Sequence, residues 1–301
     1  MGSPSVTTET YESLRPLAFS IAYRMLGSVS EAEDVVQEGL LRLHRADAVE
    51  HPKAFVATVV TRLSIDELRS ARARRETYVG PWLPEPLLTS TEPDAAEHAE
   101  MADSLSISFL VLLETLSPVE RAVFLLREVF EYGYDEIAEI VGKSEANCRQ
   151  ILVRARKRID EGRPRFEADR RQQDELTRRF LEAFEEGDVD GLVELLADDV
   201  VFVGDGGGKG RGISRPVYGR RGVARLLASF LPPFRRGGGK IRLGEVNGEP
   251  GAMIFDADDR LVNVFSFEIA EGAIQAMRSV INPEKLGHLG YPLSPLARRD
   301  P

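Results

Sequence analysis

Four polar side chains fall close together at Glu145, Asn147, Arg149 and Gln150. Their types match those that read base edges. A guanidinium forks onto guanine, Asn and Gln amides onto adenine, and a Glu carboxylate accepts from cytosine. Arg154, Arg156, Lys157 and Arg158 follow. Cations at that spacing suit phosphates, which position a protein without specifying sequence. Such a set acts together only if one helix carries it. Ile151 and Leu152 give that helix an inward face, and Ile137, Ala138 and Ile140 do the same for a helix before it. Gly142 supplies the tight turn between them, and Ser144 is the expected N-cap of the second. Tyr134 to Arg158 therefore reads as a helix-turn-helix with a groove-facing second helix. A basic last turn alone would suit any helix dipole; the combination carries the reading.

The rest of the chain sets limits on that chemistry. Its 301 residues carry a formal charge of −10, which opposes autonomous DNA binding. The DNA grip must therefore be local, conditional or assisted by a partner. One cysteine, Cys148, excludes an internal disulfide, and with four scattered histidines it makes a metal site unexpected. No cofactor is expected. No run approaches the roughly 18 apolar residues of a membrane span, so the chain is expected in the cytosol with no membrane partner.

Three helices are predicted ahead of the reader. Leu14, Leu17, Ala18, Ile21, Ala22 and Met25 recur at helical spacing until Gly27 stops the first. Ser30 is the expected N-cap of the second, whose core stripe is Val35, Val36, Leu40, Leu41 and Leu43. His51-Pro52 breaks it. The third carries Phe55, Val56, Val59, Val60, Leu63, Ile65 and Leu68 and ends in Arg69, Arg72, Arg74 and Arg75. Residues from Gly80 to about Asp94 form a proline-rich linker. It holds the only tryptophan, Trp82, among leucines, so Trp82-Leu83-Pro84-Glu85-Pro86 is expected to dock on a domain. Helices resume near Ala95, and Ser117-Pro118 starts another.

Beyond Arg165 two amphipathic helices, Asp174 to Glu186 and Val189 to Leu196, precede strand-like runs. These are Val200 to Val203, Ile241 to Val246, Ala252 to Phe255, Leu261 to Ile269 and Ala273 to Ile281, with a helix from Gly222 to Leu231 among them. Helices followed by an antiparallel sheet mark a separate α+β domain.

Residues 11–160 resemble an extracytoplasmic-function (group IV) sigma factor of bacterial RNA polymerase. Three stretches carry the resemblance in order: Ala32 to Glu38; Pro52 to Phe55 with Arg62 to Arg69; and Tyr134 to Arg158. The chain departs from the usual pattern at Phe55, where Trp is common, and at Arg62, where Asn is common. The resemblance implies core RNA polymerase (clamp coiled coil and flap) and promoter DNA as partners, and a role in transcription regulation under stress. It implies that Asp34, Gln37 and Glu38 meet the polymerase clamp. Arg62, Asp66, Arg69, Arg72, Arg74 and Arg75 would serve the −10 element, which σ2 reads and melts. Ser144, Glu145, Asn147, Arg149, Gln150, Arg154, Arg156 and Lys157 would serve the −35 element, read by σ4.

The stretch from Asp174 to Leu286 resembles a SnoaL-like (NTF2-like) cone. Trp82 to Pro86, Asp205-Gly206-Gly207-Gly208-Lys209 and Asn282-Pro283-Glu284-Lys285-Leu286 resemble segments of one sigma subfamily with this extension. They are the expected interdomain regulatory residues. The organisation implied is a σ2 domain at 8–78, a linker at 79–98, a σ4 domain at 99–162, a SnoaL-like domain at 170–286 and a tail at 287–301. The fold class is multidomain, all-α in the N-terminal half and α+β in the C-terminal cone.

Asp205 to Lys209 lacks the strand, loop length and Lys-Ser/Thr of a phosphate loop, which excludes a nucleotide site. Cone folds can host isomerases or cyclases, and Asp205, Tyr218 and Asp256 are raw material for that chemistry. No histidine lies in the strands, and a catalytic role is not expected. The competing reading is a ligand-sensing or catalytic cone with a conventional repressor module, which would bind duplex DNA without polymerase.

Overall fold

The computed structural model describes residues 8–46, 49–89, 104–162, 170–210 and 212–297. The chain divides into two compact units, Met1–Thr77 with Leu110–Arg163, and Tyr78–Phe109 with Pro164–Pro301.

The first unit is helical. Its helices are α1 (Thr8–Leu26), α2 (Val29–Arg45), α3 (Pro52–Glu76), the end of α4 (Ile107–Leu113), α5 (Pro118–Glu128), α6 (Tyr134–Val141) and α7 (Glu145–Gly162). The helical spacing in α1 buries Leu14, Ala18, Ile21, Ala22 and Met25 against α2 and α3. Gly27 ends α1 at φ 67°. The N-cap of α2 is Ser28, not Ser30: the left-handed Gly27 turns the chain at once, and the Ser28 hydroxyl accepts from the Glu31 amide. Ser117 opens α5 with a reciprocal capping box to Glu120. The helices expected from Ala95 fall partly outside the described residues; α4 starts at Ile107.

Inside this unit lies a charged network. Arg121 is fully buried, its Nε donates 2.9 Å to the Arg24 carbonyl, and its guanidinium pairs with Glu114. Glu114 also pairs with Arg75, which donates to the Leu26 carbonyl at the end of α1. Burial alone would raise the Glu114 carboxyl, yet Arg121 and Arg75 outweigh it and hold it below the usual range.

The second unit is α+β. Helices α8 (Arg170–Glu186), α9 (Val189–Leu195) and α10 (Arg220–Arg236) accompany a seven-stranded sheet ordered β1-β4-β5-β6-β7-β2-β3. Its strands are β1 (Leu88–Thr89), β2 (Leu196–Asp205), β3 (Val217–Tyr218), β4 (Lys240–Val246), β5 (Glu249–Phe255), β6 (Leu261–Ala270) and β7 (Ala273–Val280). The sheet is not purely antiparallel as expected: β2 and β7 run parallel, Phe202 opposite Met277. The long excursion through β3, α10 and strands β4 to β6 returns the chain to β2 from the same end. Helix α10 runs past the expected stop at Leu231, through Pro232 and Pro233, to Arg236. Asn247-Gly248 joins β4 to β5 with both φ values positive, 54° and 79°, as a two-residue hairpin requires. The core is a cluster that includes Phe180, Leu192, Leu196, Phe202, Val223, Leu227 and Phe267, where the helices meet the sheet. Cone and helical bundle each bury their own apolar face.

Candidate functional site

The helix-turn-helix is α6 and α7. Gly142 ends α6 at φ 65°, and a Cβ there would meet nothing within 4 Å, so only the backbone angle demands glycine. The Ser144 hydroxyl accepts from the Asn147 amide at 3.3 Å. Ile137, Ile140, Cys148, Ile151, Leu152, Ala155 and Ile159 are buried. Ser144, Glu145, Asn147, Arg149, Gln150, Arg154, Arg156 and Lys157 are all exposed. The predicted base-reading set therefore shares one solvent-facing surface. Arg149 pairs with Glu145 at 2.7 Å and lies over the Tyr134 ring, 4.7 Å from its centroid. Arg156 pairs with Glu128, Arg158 with Glu120, and Lys157 loosely with Glu161. Burial pushes the Cys148 thiol up, which suits a packing residue and not a reactive one.

The arginines of α3 are all engaged within the same unit. Arg62 spreads its guanidinium over the end of α6, donating to the carbonyls of Ile140 (2.9 Å) and Glu139 (2.8 Å). Those are carbonyls that a helix C-terminus leaves without intrahelical partners. Arg72 donates to the carbonyls of Glu114 and Leu116. Arg74 pairs with Glu31 and Glu67, Arg75 with Glu114, and Arg69 with Asp66 at 2.9 Å. On α2, Asp34 and Gln37 are exposed and Glu38 pairs with Arg42 at 2.7 Å. The three lie on the face opposite the buried Val35, Val36 and Leu43.

In the second unit the three segments singled out in the sequence come together. The linker from Tyr78 onward lies on the sheet ends, and Asp205, wholly buried, is its anchor. The Asp205 carboxylate accepts from the Tyr78 hydroxyl, from the Leu83 amide at 2.8 Å and from the Lys285 ammonium at 2.7 Å. Lys285 also donates to the Leu83 carbonyl, and its ammonium sits 4.1 Å from the Trp82 ring centroid. Trp82 is only half-buried; Leu83, Pro84, Glu85 and Pro86 are buried. The docking therefore rests on the residues after the tryptophan, with Trp82 as a lid over a cation. Asn282 donates to the Tyr78 hydroxyl at 2.9 Å and caps the short helical turn of Pro283 to Lys285. Gly207 explains the glycine run: at φ 57°, a Cβ would fall 2.4 Å from Asn282 and 2.7 Å from the Tyr78 oxygen. Lys209 pairs with Glu284 at the surface. Leu286 is fully buried.

Sequence reasoning missed three supports. Tyr78 carries a hydroxyl raised far above its ordinary value, first by burial and then by the Asp205 charge. Asn247 is buried: its side chain accepts from the Leu87 amide and donates to the Leu105 carbonyl, while its own amide donates to the Leu87 carbonyl. His288 bonds the Pro86 carbonyl at 2.7 Å. The Asn-Gly turn was visible, but the linker it holds lies 160 positions earlier. Leu88 and Thr89 then pair with Val246 and Glu245 as the edge strand.

Of the candidate acid–base residues, Asp205 serves the linker and Tyr218 is exposed. Asp256 is saturated by Ser294, Arg260 and two backbone amides. Burial would raise its carboxyl; the Ser294 and Arg260 hydrogen bonds outweigh that and hold it low. Among the described residues no cluster of His, Cys, Asp and Glu could hold a metal ion. No helix among them is long and apolar enough to cross a membrane.

Residues 10–74 match the Sigma-70 region 2 family, residues 98–159 match Sigma-70 region 4, and residues 177–275 match the SnoaL-like domain family. The ECF RNA polymerase sigma factor SigJ of Mycobacterium tuberculosis is 38% identical over 295 residues, covering 94% of this chain and 93% of the relative. A probable ECF RNA polymerase sigma factor, SigI, of the same organism is 30% identical over 284 residues, covering 91% and 93%. The crystal structure of M. tuberculosis SigJ superposes with a TM-score of 0.76 at 35% identity, over 96% of this chain and all of that one.

Proposed function

The chain belongs to the extracytoplasmic-function sigma factors of RNA polymerase, with a SnoaL-like C-terminal extension, and from that premise we propose how its parts divide the work. As an alternative sigma factor it binds core polymerase and directs initiation at specific promoters. The outward face of α2, with Asp34, Gln37 and Glu38, takes the polymerase clamp coiled coil, and the σ4 helices take the flap. The exposed set on α7 reads the −35 element in the major groove. Asp66 and the arginines of α3 serve the −10 element, where separated strands need a basic groove. The chain acts in the cytosol as a non-catalytic factor. The saturation of Asp256 and the use of Asp205 as a linker anchor support that reading.

The C-terminal unit modulates this activity in cis. The observation that carries the proposal is the convergence of Trp82 to Pro86, Asp205 to Lys209 and Asn282 to Leu286 on one buried Asp205–Lys285 pair. The described part of the segment joining the two DNA readers, residues 78–89, is thereby folded into the extension. A tether fixed in this way restricts how far two linked binding modules can reach, and so sets their joint affinity. The arginines of α3 add a second restraint, since each is already engaged within its own unit. Binding to polymerase must exchange those partners for DNA. A few kcal/mol suffices to hold such an equilibrium closed.

Run-off transcription with purified core polymerase tests this. The full chain is expected to give promoter-specific product, and truncation after Arg165 is expected to change its yield. Unchanged yield and unchanged polymerase binding would remove the regulatory role. Tight duplex binding without polymerase would instead favour the repressor reading.

A further inference from the structure

The cone encloses a cavity of about 450 Å³ that neither the sigma activity nor the linker clasp uses. This lies within the range of small-molecule sites. Its walls are mostly apolar, with Phe180, Phe184, Phe202, Phe234, Phe265 and Phe267 among them. Phe202 meets Phe265 edge-on, and Phe180 meets Phe267 at a tilt with centroids 5.4 Å apart. These rings pack against one another on the wall and leave the interior free of partner atoms. An apolar cavity of this kind does not hold water well, and each unfilled ring face forgoes dispersion contacts.

One pole of the cavity is polar. Asn263 and Ser279 line it from adjacent strands, and the Asn263 amide nitrogen donates to the Ser279 hydroxyl at 3.0 Å. The other end of that amide, Oδ1, is buried with no partner. A buried unsatisfied carbonyl is costly and asks for a donor. The only carboxylate on the wall among the described residues, Asp256, is held ionised by four hydrogen bonds and has little left to offer. Among the described residues no lysine, arginine or histidine lines the cavity to neutralise a charged guest.

We infer that this cavity is a binding site for an uncharged, mainly aromatic or hydrocarbon small molecule carrying one hydroxyl or N–H group, which meets Asn263 beside Ser279. The phenylalanine walls take the body of the ligand, and the amide fixes its orientation. The site binds without turning its ligand over, because among the described residues no unspent acid or base faces it. Its walls end on the clasp. Gly204 precedes Asp205, Ile281 precedes Asn282, and the amides of Ile281 and Asn282 both donate to the Asp205 carbonyl. Occupancy is therefore felt where the linker is held. That last link rests on the regulatory reading above; the binding itself does not.

The test uses the full chain and the neutral fluorophore N-phenyl-1-naphthylamine, whose emission rises in apolar surroundings. Saturable enhancement at one site per chain is expected. In competition, 1-naphthol should displace the probe roughly five- to tenfold better than 1-methylnaphthalene, the return for one buried hydrogen bond. 1-Naphthoate, carrying a charge, should compete worst. Asn263→Leu should abolish the preference for naphthol over methylnaphthalene, and Ile213→Trp, which fills the cavity, should abolish saturable binding. An absent preference in the wild-type chain overturns the proposal without any variant. So does undiminished binding to a folded Ile213→Trp chain. Amide exchange at Leu83, followed with and without probe, tests the link separately: unchanged exchange on saturation overturns the link to the clasp and leaves the site standing.

Discussion

Asp205 and Lys285 form the most consequential pair of side chains in the second unit, since both are buried and each holds the linker backbone. Replacing Asp205 with Asn leaves an ammonium in the interior without its counter-charge. The expected cost is about 3–5 kcal/mol, the usual loss for breaking such a pair. Urea unfolding of the variant against the wild type measures it, and a loss below about 1 kcal/mol would mean the pair behaves as if it were solvent-exposed. Tyr78 adds a pH dependence. Its phenol is pushed up by burial and by Asp205, so the folded state prefers the protonated form. Its contribution is present below the unfolded value of about 10 and is lost as pH rises above it. Alkaline titration followed at 295 nm should show one tyrosine ionising only with unfolding, and Tyr78→Phe should remove that late phase. Little of this was legible beforehand. The motif around Asp205 was visible, but the partners of its carboxylate were not, because Tyr78 stands 127 positions away. The exposed polar face of α7 was legible for the opposite reason. Their partners are local, and helical spacing alone sets which side of α7 they occupy.

Elements were read well where one helix or hairpin decides its own ends. Gly142, Ser144 and Ser117 end or begin helices as their chemistry dictates. Gly142→Ala should cost about 1 kcal/mol through its positive φ alone, since the space beside it is open. Thermal unfolding of the N-terminal half measures this, and an unchanged midpoint would show that the turn relaxes. The parallel pairing of β2 with β7 was not legible, because it depends on where a long excursion returns. Nor was the joining of α3 to the reader. Arg62, expected to serve the −10 element, donates to carbonyls at the end of α6. Arg62→Ala should destabilise α6 by about 1–2 kcal/mol, read as faster amide exchange in α6 and α7. Glu114 welds α3 to α5 from between Arg75 and Arg121. Its carboxyl is held low in the folded state, so its stabilisation is complete above the unfolded value of about 4.3 and fades as pH falls through the folded one. Glu114→Gln should cost about 3 kcal/mol at pH 7 by stranding the buried Arg121. The difference from wild type should shrink in acid; a constant difference would show that the charge is not what matters.

At the scale of the molecule, a chain of charge −10 carries clusters of cations on α3 and α7, the helices proposed to meet DNA. Most of those cations are paired with acidic side chains or carbonyls of the same unit. The architecture was legible as two kinds of domain, since helical and strand periods differ. That the linker would be built into the second of them followed only weakly from one tryptophan among prolines.

The short strand Leu88–Thr89 has a further consequence. It closes the β4 edge of the sheet at Val246, which is almost wholly buried, while Lys240 and Arg242 guard the rest of that edge with charge. Each chain that releases this strand uncovers bare amides beside apolar side chains, a template on which another chain can add. Release of the linker, as proposed for polymerase binding, thus carries a cost in solubility, and the residues bordering that edge set it.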